Sequence, residues 1–197
     1  MRGRGKMEKP AFDIRDIQER VIWEAVKAES DGGTAKEIVY GPCGDSRCED
    51  NAAWVKSAMR RLERKFDPDT AKRIRMNCQC GYKMDDKLAL LNELMASAAS
   101  IEELAASDRA RSAGLSCEGG ELYLQFWFCP CPMLAEVERL ETKTWCQCTT
   151  GYSKVLFEKA FGCEVDVKLL KSIKTGDDIC LMKIVPRGPI KKRPSQT

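Results

Sequence analysis

Residues 146–184 read CQCTTGYSKVLFEKAFGCEVDVKLLKSIKTGDDICLMKI, and this stretch decides the fold. Positions 151–161 are spaced as a helix that stops at Gly162. Residues 164–170 and 179–185 then alternate as strands do, and Lys174-Thr175-Gly176-Asp177-Asp178 supplies the turn between them. A helix followed by an antiparallel hairpin is an α+β signature. Working back, 121–128 alternates again, with Leu122, Leu124, Phe126 and Phe128 on one face. This strand runs straight into Cys-Pro-Cys-Pro at 129–132. Phe126, Trp127 and Phe128 are expected in the core, or lining an apolar pocket on the sheet.

The first half of the chain reads as helices. Over 12–29, Ile14, Ile17, Val21, Ile22, Ala25 and Val26 recur at helical spacing, and Asp31-Gly32-Gly33 is expected to end that helix. A loop over 41–50 holds Cys43 and Cys48. A second helix over 52–66 buries Trp54, Val55, Ala58, Met59 and Leu62. Asp67-Pro68 starts a third, since aspartate caps and proline suits the first helical position. It is expected to deliver Cys78 and Cys80 near its C-terminal end, with Gly81 able to close it. Residues 87–96 are helical, and Ser100 with Glu103 forms a capping box for a shorter helix. The expectation is an α+β protein, a helical N-terminal half (12–110) packed on a C-terminal antiparallel sheet with helices.

Composition excludes several functions. The chain has 197 residues, 11 cysteines and no histidine. Every mechanism that needs an imidazole is therefore closed, a cysteine–histidine dyad among them. The net charge is +3. Residues 1–9 carry +3 and the tail carries +4 on Arg187, Lys191, Lys192 and Arg193, which leaves −4 for the body. The basic residues thus mark two flexible ends, 1–11 and 187–197, and the body offers no basic face for specific nucleic-acid binding. No run approaches the roughly 18 apolar residues of a membrane span. No apolar stretch follows the basic start, so no secretory leader is read and a cytosolic, mostly reduced setting is expected.

The cysteines fall into classes. Cys78-Gln79-Cys80 and Cys146-Gln147-Cys148 are the same tripeptide, and Cys129-Pro130-Cys131 has the same spacing. Cys43 and Cys48 form a looser pair of undecided role, and Cys117, Cys163 and Cys180 are expected to pack as small apolar residues. The three CxC pairs stand where the third helix ends, where the Leu122 strand ends and where the Gly151 helix begins. They are expected to converge. Six thiolates from three segments could hold zinc or an iron–sulfur cluster, although CxC is a less specific signal than CxxC. If the protein is an enzyme, Cys148 is the leading nucleophile, because a thiol at a helix N-terminus has a depressed pKa, and Cys146 would be its resolving partner. Lys143 and Lys154 are candidate neighbours, and Asp45, Glu141 and Asp178 candidate acids or bases.

With its helix, Gly162, valine-alternating strand, Ser172-Ile173, Gly176-Asp177 and Cys180, the 146–184 segment is similar to the closing module of the 4-vinyl reductase-like domain. That domain shares a superfamily with the haem nitric-oxide-binding domain and a vesicle-tethering subunit. The chain also resembles an uncharacterised cysteine-rich prokaryotic family with cysteines at the places of Cys78, Cys129 to Cys131 and Cys146 to Cys148. More distantly, it resembles the aminothiazoline-carboxylate hydrolase-like proteins. The resemblance implies that 120–186 is a ligand-binding-like module in which helices and sheet enclose an apolar pocket. It implies a small hydrophobic ligand, and a homodimer is open to it. The haem-binding branch uses a histidine ligand, which this chain lacks. The expected function is a cytosolic small-molecule-binding or sensor-like protein whose thiolate cluster lies at one mouth of the pocket. The alternative is a thiol-dependent hydrolase or oxidoreductase led by Cys148.

Overall fold

The computed structural model describes residues 13–44, 48–81 and 83–190. The expected flexible N-terminus, 1–11, lies outside them. Of the expected tail, residues 187–190 are described. There the Arg187 N–H donates to the Glu164 carbonyl at 2.8 Å, and Ile190 packs on the core.

Short polar caps set the helices. Asp13 accepts from the Arg15 and Asp16 amides and starts α1, Ile14–Glu29. Asp31 then accepts from the Thr34 amide and starts α2, Gly32–Tyr40. The Asp-Gly-Gly expected to end α1 therefore also opens a helix that the pattern hid. Aspartate satisfies an orphan amide, and the two glycines fit the first turn. Asp50 caps α3, Asn51–Lys65, and Asp67 caps α4, Pro68–Met76. After α5, Met84–Ala96, Ser100 and Ser107 cap two short helices, α6, Ile101–Ala106, and α7, Asp108–Ser112.

The strands β1, Leu115–Glu118, and β2, Glu121–Phe126, form a hairpin. Its turn, Gly119-Gly120, has φ of 58° and 79°, the backbone a tight two-residue hairpin demands. The sequence pattern marks this glycine pair as a boundary and hides β1. The helix α8, Gln147–Phe161, ends at Gly162 with φ of 63°, a left-handed cap that glycine adopts without strain. The strands β3, Val165–Lys171, and β4, Cys180–Pro186, follow. The sheet is antiparallel throughout, in the order β1-β2-β4-β3. The fold is α+β, as expected.

Two apolar clusters hold the molecule. One joins α1 to α4 with the connection 133–146 and includes Trp54, Leu62, Leu134 and Trp145. The other joins α5, α6 and α8 to the inner face of the sheet through Leu115, Leu122, Phe157, Phe161 and Met182. Burying each such side chain contributes about 1.5–3 kcal/mol. The helix α8 touches both layers, packing on β3, α4 and α5. Of the run expected in the core, only Phe126 packs there, and Trp127 and Phe128 are 63% and 65% exposed. Pairing between β2 and β4 ends at Phe126 opposite Cys180, so the next residues leave the sheet.

Candidate functional site

The site is built around the first turn of α8. This helix begins four residues earlier than its apolar spacing suggests, with Cys146 as N-cap and Cys148 inside the first turn. The helix α4 ends at Met76, and the chain then carries Cys78 to the side of α8. That approach requires Gly151, because a Cβ there would collide with the Met76 carbonyl group. The Cys148 thiol donates to the Cys78 carbonyl oxygen at 2.8 Å. Gln18 of α1 donates its Nε2 to the same carbonyl at 3.3 Å and lies 3.7 Å from Cys148 Sγ.

The three CxC junctions converge on this point. The Cys131 and Cys80 thiols are near enough to influence Cys148 electrostatically, and Cys129 and Cys131 influence Cys146. Their side chains nonetheless play different parts. Cys80, Cys131 and Cys148 line a cavity. Cys78 is buried in the helical cluster and donates to the Ile74 carbonyl at 3.1 Å. Cys146 faces the Ser172 hydroxyl at 3.3 Å, and Cys129 packs partly buried against the helical cluster. Among the described residues, no three cysteine, aspartate or glutamate side chains are grouped so as to hold a metal ion.

The expected low-pKa thiol is corrected. Burial pushes Cys148 up to about 11, with nearby Arg75 opposing it. Burial likewise pushes Cys78 to about 11 and Cys146 to about 12. The helix end is present, but desolvation of the charged form outweighs it. Cys43 and Cys48, whose role the sequence leaves open, form a disulfide. A loop only five positions long brings them together, and neither lines the cavity. The candidate polar neighbours are engaged elsewhere. Glu141 pairs with Arg60, Asp178 with Lys171 and Lys154 with Glu158, while Lys143 donates to the Leu170 carbonyl. Asp45 lies outside the described residues.

The cavity has a volume of about 270 Å³ and lies where the two clusters meet. Its walls are mainly apolar. Leu90 and Leu91 come from α5, Leu115, Leu124 and Phe126 from the sheet, and Leu156 and Phe157 from α8. The lining also carries Gln18, Cys80, Cys131 and Cys148, which lie near one another. The volume lies just below the roughly 300–1,000 Å³ typical of small-molecule sites.

Sequence reasoning missed three residues here. Arg75 is fully buried, with its guanidinium 4.3 Å from the Trp145 ring centroid. It donates to Gln18 Oε1 at 3.2 and 3.3 Å and to the Trp145 carbonyl at 3.3 Å, and its Nε has no partner among the described residues. Lys87 lines the cavity with its ammonium 4.7 Å from the Tyr152 ring centroid. Gln18 joins α1 to α4 and α8 through Arg75 and the Cys78 carbonyl. A signal for Arg75 and Gln18 was present. Arg75 stands on the stripe Ala71, Ile74, Cys78, and Gln18 stands between Ile14 and Ile22, so each is a polar residue on an apolar helical face.

No curated protein and no solved structure gives a significant match to this chain. Residues 11–191, nearly the whole chain, match the family of unknown function DUF6144, and the chain belongs to that family.

Proposed function

We propose that this chain binds a small apolar molecule in the cavity between α5, α8 and the sheet. The observation that carries this reading is the cavity itself, mainly apolar with a few polar groups in its lining. A relation to the 4-vinyl reductase-like proteins, whose members enclose such pockets, fits this reading. The test is uptake of the neutral fluorophore N-phenyl-1-naphthylamine. The full chain should enhance its emission with saturable binding, and Ala113→Phe, which fills the cavity from its wall, should abolish the signal while leaving the circular dichroism unchanged. Undiminished binding by Ala113→Phe would remove the cavity from the account.

A second reading is supported by the convergence of the CxC junctions. In it the clustered thiols hold zinc or an iron–sulfur cluster. Cys78 and Cys148 would then have to give up their protons and the carbonyls to which they now donate. Metal and sulfide analysis, with an absorption spectrum of anaerobically purified protein, decides it. Stoichiometric zinc, or iron with sulfide, supports this reading, and absence of both removes it.

A further inference from the structure

Lys87 is the one charged side chain in the cavity lining among the described residues. Lys87 is an exposed residue, and its ammonium faces the Tyr152 ring, on which Asp85 and Asp86 also act. Arg75 stands behind the wall, linked through Gln18 to Cys148. It has no carboxylate partner among the described residues, although no part of it reaches solvent. Its N–H groups meet a neutral amide, a backbone carbonyl and the Cys78 sulfur, none of them a carboxylate. The neighbouring thiols do not neutralise it, since Cys148 and Cys78 act as donors to carbonyls and so keep their protons.

The Arg75 guanidinium lies wholly in the interior. Buried charges are ordinarily paired. Stacking on Trp145 offsets part of the cost, and the unpartnered Nε adds to it. The indole N–H of Trp145 is turned to the Cys131 sulfur. Lys87 in the cavity lining and Arg75 one side chain behind it favour the same kind of group, an anion.

We propose that the cavity takes a small amphipathic acid. Its apolar body lies among Leu91, Leu124, Phe126 and Leu156, and its anionic head lies at the Gln18–Cys148 end between Lys87 and Arg75. The proposal rests on the cavity reading above and adds the chemistry of the head group. A volume of about 270 Å³ suits a single short chain or ring system. Lys87 pairs with the head directly at the wall. Arg75 acts through Gln18, as a charge fixed one side chain behind it.

The experiment is displacement of N-phenyl-1-naphthylamine from the full chain by three ligands of one chain length: decanoate, decan-1-ol and decylammonium. Decanoate is expected to compete at concentrations at least tenfold below decan-1-ol, and decylammonium to compete most weakly. Lys87→Gln should lower decanoate affinity about tenfold and decan-1-ol affinity by much less. Gln18→Glu gives Arg75 a carboxylate of its own and should do the same. Equal competition by the acid and the alcohol, or best competition by decylammonium, overturns the head-group proposal and leaves the cavity reading standing. Decanoate affinity within twofold of wild type in both variants overturns it as well. Failure of the fluorophore and of all three ligands to bind overturns both.

Discussion

Gly151→Ala tests whether α4 and α8 meet as closely as the site requires. The substitution adds one methyl group inside a helix, and on propensity alone it should stabilise by about 1 kcal/mol. The structure predicts the opposite. The new Cβ would fall on the Met76 carbonyl group, which is backbone and has no rotamer that could move it aside. The helices must part, and overpacking of this kind costs typically 1–3 kcal/mol and occasionally more. With a backbone obstacle the upper end applies, so after the propensity gain the net loss is about 2 kcal/mol. At about 2–4 °C per kcal/mol for a chain of this size, the melting temperature should fall by about 4–8 °C. The parting also lengthens the 2.8 Å bond from the Cys148 thiol to the Cys78 carbonyl, so alkylation of Cys148 by iodoacetamide, followed by peptide mass mapping, should speed up. Gly32→Ala is the control. It stands in the first turn of α2 with open space around it, and should be neutral or slightly stabilising. A Gly151→Ala protein as stable as wild type, with Cys148 still protected, would refute the close approach.

Stability should fall in alkali. Cys78, Cys146 and Cys148 are pushed from an ordinary value of 9.0 to about 11, about 12 and about 11, so the folded state holds these protons more tightly. Their contribution is complete below pH 9 and is lost as pH rises through the folded values, each tenfold tightening of proton binding being worth about 1.4 kcal/mol. Urea midpoints between about pH 8 and 11 should fall, and Cys146→Ala should flatten the fall; an unchanged slope would contradict the burial of this thiol. Arg75→Met removes a buried cation that has no carboxylate partner, and its melting temperature should equal or exceed that of wild type. A loss above about 2 kcal/mol would mean that Arg75 holds the fold together rather than serving the cavity. Unreduced protein should weigh two hydrogens less than the all-thiol chain and show nine free thiols when denatured. Breaking so short a loop by Cys43→Ser and Cys48→Ser should cost about 2 kcal/mol, read by thermal unfolding.

Much of the site's skeleton is legible in the chain itself. Caps and breakers are local chemistry, so Asp13, Asp50, Asp67, Ser100 and Gly162 stand at element ends and mark them. Because the CxC pairs sit at such ends, their convergence could be expected from element order. The failures are also local. Glycine pairs that a sequence reads as stops serve here as the start of α2 and the turn between β1 and β2. In Phe126-Trp127-Phe128 the strand pairing ends after the first residue, and the alternation carries no mark of that ending.

By itself the sequence determined the element types, the α+β class and the absence of any imidazole chemistry, because these follow from periodicity, capping and composition. Only the tertiary structure decided the state of the thiols. A helix N-terminus lowers a thiol pKa, but burial among packed helices raises it, and burial is a property of elements far apart in the chain. It likewise decided that Arg75 lies in the interior without a carboxylate. Gln18, Cys78 and the segment from Trp145 to Cys148 are three separate stretches, and no spacing along the chain records that they surround one guanidinium.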